Sequence, residues 1–182
     1  MNLIKTTLDG LVVLKPTIFK DNRGYFMESY NQKNINDLLG TVNFVQDNES
    51  ESSRGVLRGL HFQKPPYAQA KLVRCLKGSV LDVVLDLRKD SKTYGIFETT
   101  LLTEENKKQL FIPKGFAHAF VVLSETAIFS YKVDNYYNPD SESGVLWNDL
   151  DLNIDWKINK KEIIVCEKDR NLPTFNNIIN PF

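Results

Sequence analysis

Apolar and polar residues alternate along much of the chain in short runs separated by turn residues, the pattern of half-buried strands in an all-β protein. Ser79–Arg88 is the clearest run. Leu81, Val83, Leu85 and Leu87 fall on one face, and Val80, Asp82, Val84, Asp86 and Arg88 on the other. Comparable runs cover Gly24–Ser29, Asn43–Asn48, Gly55–Gln63, Ala70–Leu76, Ile96–Leu102, Gln109–Ile112, Phe116–Leu123 and Ile128–Val133. Turn signals lie between them, among them Asp21-Asn22-Arg23-Gly24, Lys64-Pro65-Pro66 and Pro113-Lys114-Gly115. Two segments read as helical. Asn31–Leu39 carries Ile35, Leu38 and Leu39 at helical spacing, with Gly40 placed to end it, and the tail after Trp156 predicts a short turn or two. No repeat, low-complexity stretch or linker interrupts the chain. The pattern therefore predicts one all-β domain over residues 1–182, an antiparallel jelly-roll or cupin-type β-barrel with a few short helices.

Composition narrows the partners. A length of 182 residues suffices for one full core, and 42% hydrophobic with 25% charged residues is ordinary for a soluble globular protein. Lys plus Arg and Asp plus Glu number 23 each, so there is no net field to hold a polyanion. This argues against nucleic acid but leaves room for a small phosphorylated ligand at a local basic cluster. The start, MNLIKTTLDG, is not a signal peptide, and no apolar run approaches the ~20 residues that span a bilayer, so no membrane partner is expected and the cytoplasm is the expected location. Cys75 and Cys166 read as two ordinary reduced thiols. The apolar run Leu11–Leu14 could add an edge strand to a second copy or pair within its own sheet, with little to choose between them.

The candidate chemistry centres on the only two histidines, His61 and His118, each in a strand-like run dense with glycine and aromatics. Many small β-barrels hold a metal, but that usually requires two histidines projecting from one strand with a carboxylate nearby. Here His61 is followed two places later by Gln63 and no His-x-His occurs, so a metal-free site is expected. Proton abstraction beside a carbonyl needs a base, a donor or cation for the enolate oxygen, and an acid. The chain offers His61 as base, Lys71 and His118 as enolate partners, Tyr131 as acid and Asp169 to orient the histidine. Arg23, Arg58, Lys168 and Arg170 could form a basic cluster for a pyrophosphate. Taken singly, each of these residues is more often a packed or surface side chain. Strict alternation also places Arg58 and His61 on opposite faces of a flat strand, so a shared ligand requires a bend or bulge, most naturally at Gly59.

Together the motifs resemble those of the dTDP-4-dehydrorhamnose 3,5-epimerase family. The matching stretches are Asp21-Asn22-Arg23-Gly24-Tyr25-Phe26-Met27-Glu28, Phe44-Val45-Gln46-Asp47-Asn48 and Gly55-Val56-Leu57-Arg58-Gly59-Leu60-His61-Phe62-Gln63. They continue with Lys71-Leu72-Val73-Arg74, Ile112-Pro113-Lys114-Gly115-Phe116-Ala117-His118, Tyr136-Tyr137-Asn138-Pro139, Glu142, Trp147-Asn148-Asp149 and Lys168-Asp169. The match runs in order over nearly the whole chain. Ala119, where the family more often has glycine, and Phe62, where tyrosine alternates with phenylalanine, are the departures.

The resemblance implies a homodimeric β-barrel without metal or nicotinamide cofactor, acting on a dTDP-linked 4-keto-6-deoxy sugar and inverting C3 and C5. It implies His61 as base paired with Asp169, Tyr131 as acid, and Lys71 with His118 at the sugar and its enolate oxygen. It implies further that Arg23, Phe26, Glu28, Gln46, Asn48, Arg58, Glu142 and Lys168 line the nucleotide, pyrophosphate and sugar sites. A relative acting on one carbon or on another nucleotide-linked keto-sugar, a non-catalytic sugar-binding barrel, and a metal-dependent cupin enzyme are the competing readings.

Overall fold

The computed structural model describes residues 1–182. Its elements follow in the order β1 (Asn2–Lys5), β2 (Val12–Lys15), β3 (Phe19–Asp21), β4 (Gly24–Phe26), α1 (Gln32–Leu39), β5 (Gln46–Ser53), β6 (Leu57–Gln63), β7 (Lys71–Lys77), β8 (Ser79–Asp86), β9 (Phe97–Thr103), β10 (Gln109–Ile112), β11 (Phe116–Val122), β12 (Thr126–Val133), β13 (Glu142–Gly144) and α2 (Glu167–Arg170). A six-stranded sheet, β1-β2-β10-β7-β12-β5, faces a five-stranded sheet, β13-β6-β11-β8-β9, and β3 with β4 forms a separate hairpin. Neighbouring strands are antiparallel throughout, as the alternation predicts for a jelly roll.

The core lies in three layers. Val73, Leu110, Ile112 and Phe129 of one sheet meet Val80, Val84, Phe116 and Phe120 of the other between the sheets. The far face of the five-stranded sheet presents Leu81, Val83, Leu85 and Leu87, and the C-terminal segment covers it with Val145, Leu152, Ile154, Trp156 and Val165. Both faces of β8 are therefore buried, and its polar inward residues Asp82 and Asp86 are buried with them. On the far face of the six-stranded sheet, Ile35 of α1 is buried against Val12, Leu14, Leu72 and Phe111. Asn31 starts that helix as its cap, accepting from the Asn34 amide at 3.2 Å, and Gly40 ends it at φ +82°.

Several bounds differ from the sequence reading. Gly24–Ser29 contributes only the three residues of β4. The strand expected over Asn43–Asn48 runs instead over Gln46–Ser53, because its inward positions are Gln46, Asn48, Ser50 and Ser52 rather than apolar residues. Leu11–Leu14 resolves to pairing within its own sheet: β2 lies between β1 and β10, and β1 is the edge. No helix is long and apolar enough to cross a membrane.

Candidate active site

A cavity of about 510 Å³ opens between the sheets, within the usual size range of small-ligand sites. Lys71, Tyr131 and Ser50 enter it from the six-stranded sheet, Arg58, His61 and His118 from the five-stranded sheet, and Cys166, Lys168 and Asp169 from the C-terminal segment. Val56, Leu57, Phe120, Ile164 and Val165 form an apolar end.

The bend expected at Gly59 is present and is what assembles the five-stranded wall. His61 pairs with His118 and Arg58 with Phe120, so Gly59 and Leu60 together oppose Ala119 alone. The bulge turns Arg58 and His61 to the same cavity. Gly59 has φ +113°, and a Cβ on it would stand 2.4 Å from the His118 carbonyl oxygen and 2.8 Å from Ala119 Cα.

His61 and Asp169 meet although 108 residues separate them: His61 Nε2 donates to Asp169 Oδ1 at 2.7 Å. The Gly59 amide donates to the other oxygen, Oδ2, at 2.9 Å, so one carboxylate fixes both the bulge and the imidazole beside it. Burial alone would raise the Asp169 carboxyl, but His61, the Gly59 amide and the Cys166 thiol together hold it below the usual range. With Nε2 engaged, His61 keeps Nδ1 for the cavity. His118 makes a second pair of the same kind, its Nε2 lying 2.8 Å from Asp82 Oδ2. Burial lowers the His118 pKa, and Lys71 and His61 act in the same direction against Asp82.

Across the cavity, burial pushes the Lys71 ammonium down to about 8, with Asp82 and Glu142 opposing. Burial raises the Tyr131 phenol, as does Glu142, while Arg58 opposes, so Tyr131 holds its proton at neutral pH. Glu142 ties the rim together: Lys168 Nζ lies 2.5 Å and the Tyr137 hydroxyl 2.6 Å from its Oε2. Arg58 donates to Ser52 Oγ at 3.1 and 3.3 Å.

Of the residues singled out in the sequence, Arg58, His61, Lys71, His118, Tyr131, Lys168 and Asp169 line this cavity. Asn48 stands opposite Tyr131 in the strand register, accepts from Gln46 Nε2 at 2.9 Å, and flanks the site with Gln46 and Glu142. Arg23, Phe26 and Glu28 are elsewhere. Arg23 and Phe26 lie on the projecting β3–β4 hairpin around a separate shallow cleft, with Phe26 69% and Phe19 62% exposed. Glu28 accepts from the side chains of Asn31 and Asn34. Sequence reasoning placed Asp82 on one face of its strand with Val80 and Val84 but did not single it out as a site residue. The available signal was an aspartate in a strand apolar on both faces. No three His, Cys, Asp or Glu side chains converge as a metal ion would require.

The family model described as dTDP-4-dehydrorhamnose 3,5-epimerase matches residues 5–177. The dTDP-4-dehydrorhamnose 3,5-epimerase of Escherichia coli K12 is 49% identical over 180 residues, covering 98% of this chain and 97% of that protein. The crystal structure of the enzyme of that name from Elizabethkingia anophelis NUHP1 superposes with a TM-score of 0.94 at 55% identity, covering 99% of this chain and 98% of that one. A Legionella pneumophila dTDP-6-deoxy-D-glucose-3,5-epimerase, solved in complex with dTDP-4-keto-L-rhamnose, superposes with a TM-score of 0.93 at 46% identity, covering 97% of this chain and 94% of that one. The chain belongs to the dTDP-4-dehydrorhamnose 3,5-epimerase family.

Proposed function

We propose that this chain is an isomerase that converts dTDP-4-dehydro-6-deoxy-D-glucose to dTDP-4-dehydro-L-rhamnose by inverting C3 and C5. The observation that supports this reading is that His61 and Tyr131 enter one cavity from opposite sheets. His61, oriented by Asp169, projects from β6 of the five-stranded sheet, and Tyr131 projects from β12 of the six-stranded sheet. A sugar ring lying between them has its proton removed on one face and returned on the other, which inverts the carbon.

The ketone at C4 acidifies the C–H bonds on both sides of it, so one base and one enolate site serve C3 and C5 in turn. His61 takes each proton through Nδ1, and Asp169 stabilises the imidazolium that results. Lys71, still largely protonated at neutral pH, faces the enolate oxygen. Tyr131 supplies the returning proton. Arg58 and Lys168 answer the pyrophosphate, with Gln46, Asn48 and Glu142 beside the sugar and nucleotide. The chemistry asks for no redox or metal step, so the reading needs no cofactor.

The active species is a homodimer in the cytoplasm. The exposed aromatics of the β3–β4 hairpin support the dimer, because Phe19 and Phe26 pair on one face of it and the chain leaves them uncovered. Seated on a second copy, this hairpin brings Arg23, Phe26 and Glu28 to the partner subunit's nucleotide.

The test is to incubate chelator-treated protein with dTDP-4-dehydro-6-deoxy-D-glucose in heavy water and follow the sugar protons by NMR. Deuterium at both C3 and C5, abolished by His61→Ala, is the expected result. Exchange at one carbon marks a single-centre epimerase, and exchange at neither refutes the reading. Sedimentation equilibrium gives the dimer, and Phe19→Ser/Phe26→Ser is expected to weaken it.

A further inference from the structure

His118 lines the cavity beside Lys71, and the reaction scheme above assigns nothing to it or to Asp82, the residue that holds it. Asp82 lies in the middle of β8 with no exposed surface. Its neighbours on the same face, Val80 and Val84, are apolar core residues. One of its oxygens meets His118 Nε2 at 2.8 Å. The other, Oδ1, is buried without any hydrogen-bond partner. A half-satisfied buried carboxylate is costly, and packing alone would be served better by a third valine. The charge itself is therefore the reason for the aspartate.

His118 from β11 and Lys71 from β7 line one cavity, and the charge of Asp82 acts on both. Asp82 is the stronger of the two carboxylates acting on Lys71, the other being Glu142 from β13. His61 from β6 completes the charged groups around His118. Lys71 has no ion pair of its own, in contrast to Lys168 on the rim, which is bonded to Glu142.

We propose that Asp82 is a positioning residue for the enolate site: it locks His118 in the Nε2–H tautomer, turning Nδ1 to the cavity, and supplies the counter-charge that keeps the Lys71 ammonium protonated. The consequence is a division of labour between Lys71 and His118. A neutral His118 in this tautomer presents a lone pair, so it accepts a hydrogen bond from a sugar hydroxyl beside the ketone. Lys71 alone donates to the enolate oxygen. Burial works against the ammonium and Asp82 works for it, which sets the balance at about 8.

The assignment of enolate and hydroxyl rests on the epimerase reading, so the first measurement uses no substrate. The chain has only two histidines, and a long-range ¹H–¹⁵N spectrum of ¹⁵N-histidine protein, assigned with His61→Asn, reads both tautomers directly. His118 is expected to show protonated Nε2 and bare Nδ1 from pH 6.5 to 9; a protonated Nδ1 overturns the proposal, whether or not any variant folds. The second measurement follows the lysine ¹³Cε shifts against pH. Lys71 is expected to titrate near 8 in the unaltered protein. In Asp82→Asn, which keeps the shape and removes the charge, it is expected to titrate about one unit lower. The alkaline limb of kcat/KM moves down with it, and kcat falls by up to about 10²-fold, the low end of removing an oxyanion donor outright. KM stays within about twofold, since the amide oxygen in Asp82→Asn still accepts from His118 Nε2 and keeps its tautomer. An unchanged Lys71 titration in Asp82→Asn overturns the proposal. Absence of turnover alongside the expected titrations refutes the epimerase reading instead and leaves the charge role of Asp82 standing.

Discussion

Asp169→Asn isolates what the carboxylate does for His61. The amide is the same size, but its two ends are no longer alike. The Gly59 amide donates to Oδ2 at 2.9 Å and can only donate, so the asparagine must turn its oxygen there. That leaves its NH₂ facing His61 Nε2, which sits 2.7 Å from the present carboxylate. To avoid a donor–donor clash, His61 must accept at Nε2 and carry its proton on Nδ1, the nitrogen that faces the cavity. The neutral base then has no lone pair for the substrate, and the imidazolium has lost its counter-charge. Loss of a correctly poised general base costs about 10²–10⁴-fold, and the wrong tautomer belongs at the upper end, so kcat should fall about 10³–10⁴-fold. Both hydrogen bonds survive in exchanged form, so stability should change by no more than about 1 kcal/mol. The assay is deuterium incorporation at C3 and C5 together with kcat, with thermal unfolding as the control. A folded Asp169→Asn protein that keeps more than a tenth of its activity refutes the tautomer argument.

Three further outcomes follow from the same structure. Tyr131→Phe should retain solvent exchange at the sugar carbons, because the base is intact, while the yield of inverted product falls at least about 10²-fold; parallel loss of exchange and inversion would show that Tyr131 is not the acid. Gly59→Ala should destabilise by at least about 1–3 kcal/mol from the backbone at φ +113° alone, and by more through overlap with the His118 carbonyl, read as a lower urea midpoint. Asp86 has a carboxyl that burial raises but that Arg88, Ser91 and Thr93 together bring down to about 2. The pKa is depressed on folding, so its contribution is present above about pH 4 and lost as pH falls towards 2, about 2 kcal/mol in all. Asp86→Asn should lower neutral-pH stability by a similar amount and flatten the acid limb of a denaturation series.

The strands that could be read from the sequence are those whose alternation is apolar. β8, β10 and β11 carried Leu, Val, Ile and Phe on at least one face, and their bounds fell within a residue or two of expectation. β5 was half-read because its inward face is a row of amides and hydroxyls serving the cavity rather than the core. In the site, His61, His118, Lys71 and Tyr131 sit on strands whose register could be followed, and the constraint that forced a bulge at Gly59 could be argued beforehand from side-chain parity. Asp169 could be named as a partner, but nothing local ties it to His61, since that contact is closed by the packing of the C-terminal segment. Arg23 and Phe26 belong to a hairpin whose aromatics are exposed and lie apart from the cavity, a placement that the pattern along the chain does not encode.

The C-terminal segment has two duties that are usually kept apart. Its apolar residues Val145, Leu152, Ile154, Trp156 and Val165 seal the outer face of the five-stranded sheet, and a few residues later it delivers Asp169 to His61 and to the Gly59 amide. During synthesis, the histidine emerges about a hundred residues before the carboxylate that tunes it. On the proposed reading, a chain without that segment holds the base nitrogen, the lysine and the tyrosine but lacks the carboxylate that orients the base. On that reading, full catalytic competence reports that the last segment has docked and the outer face of the five-stranded sheet is covered.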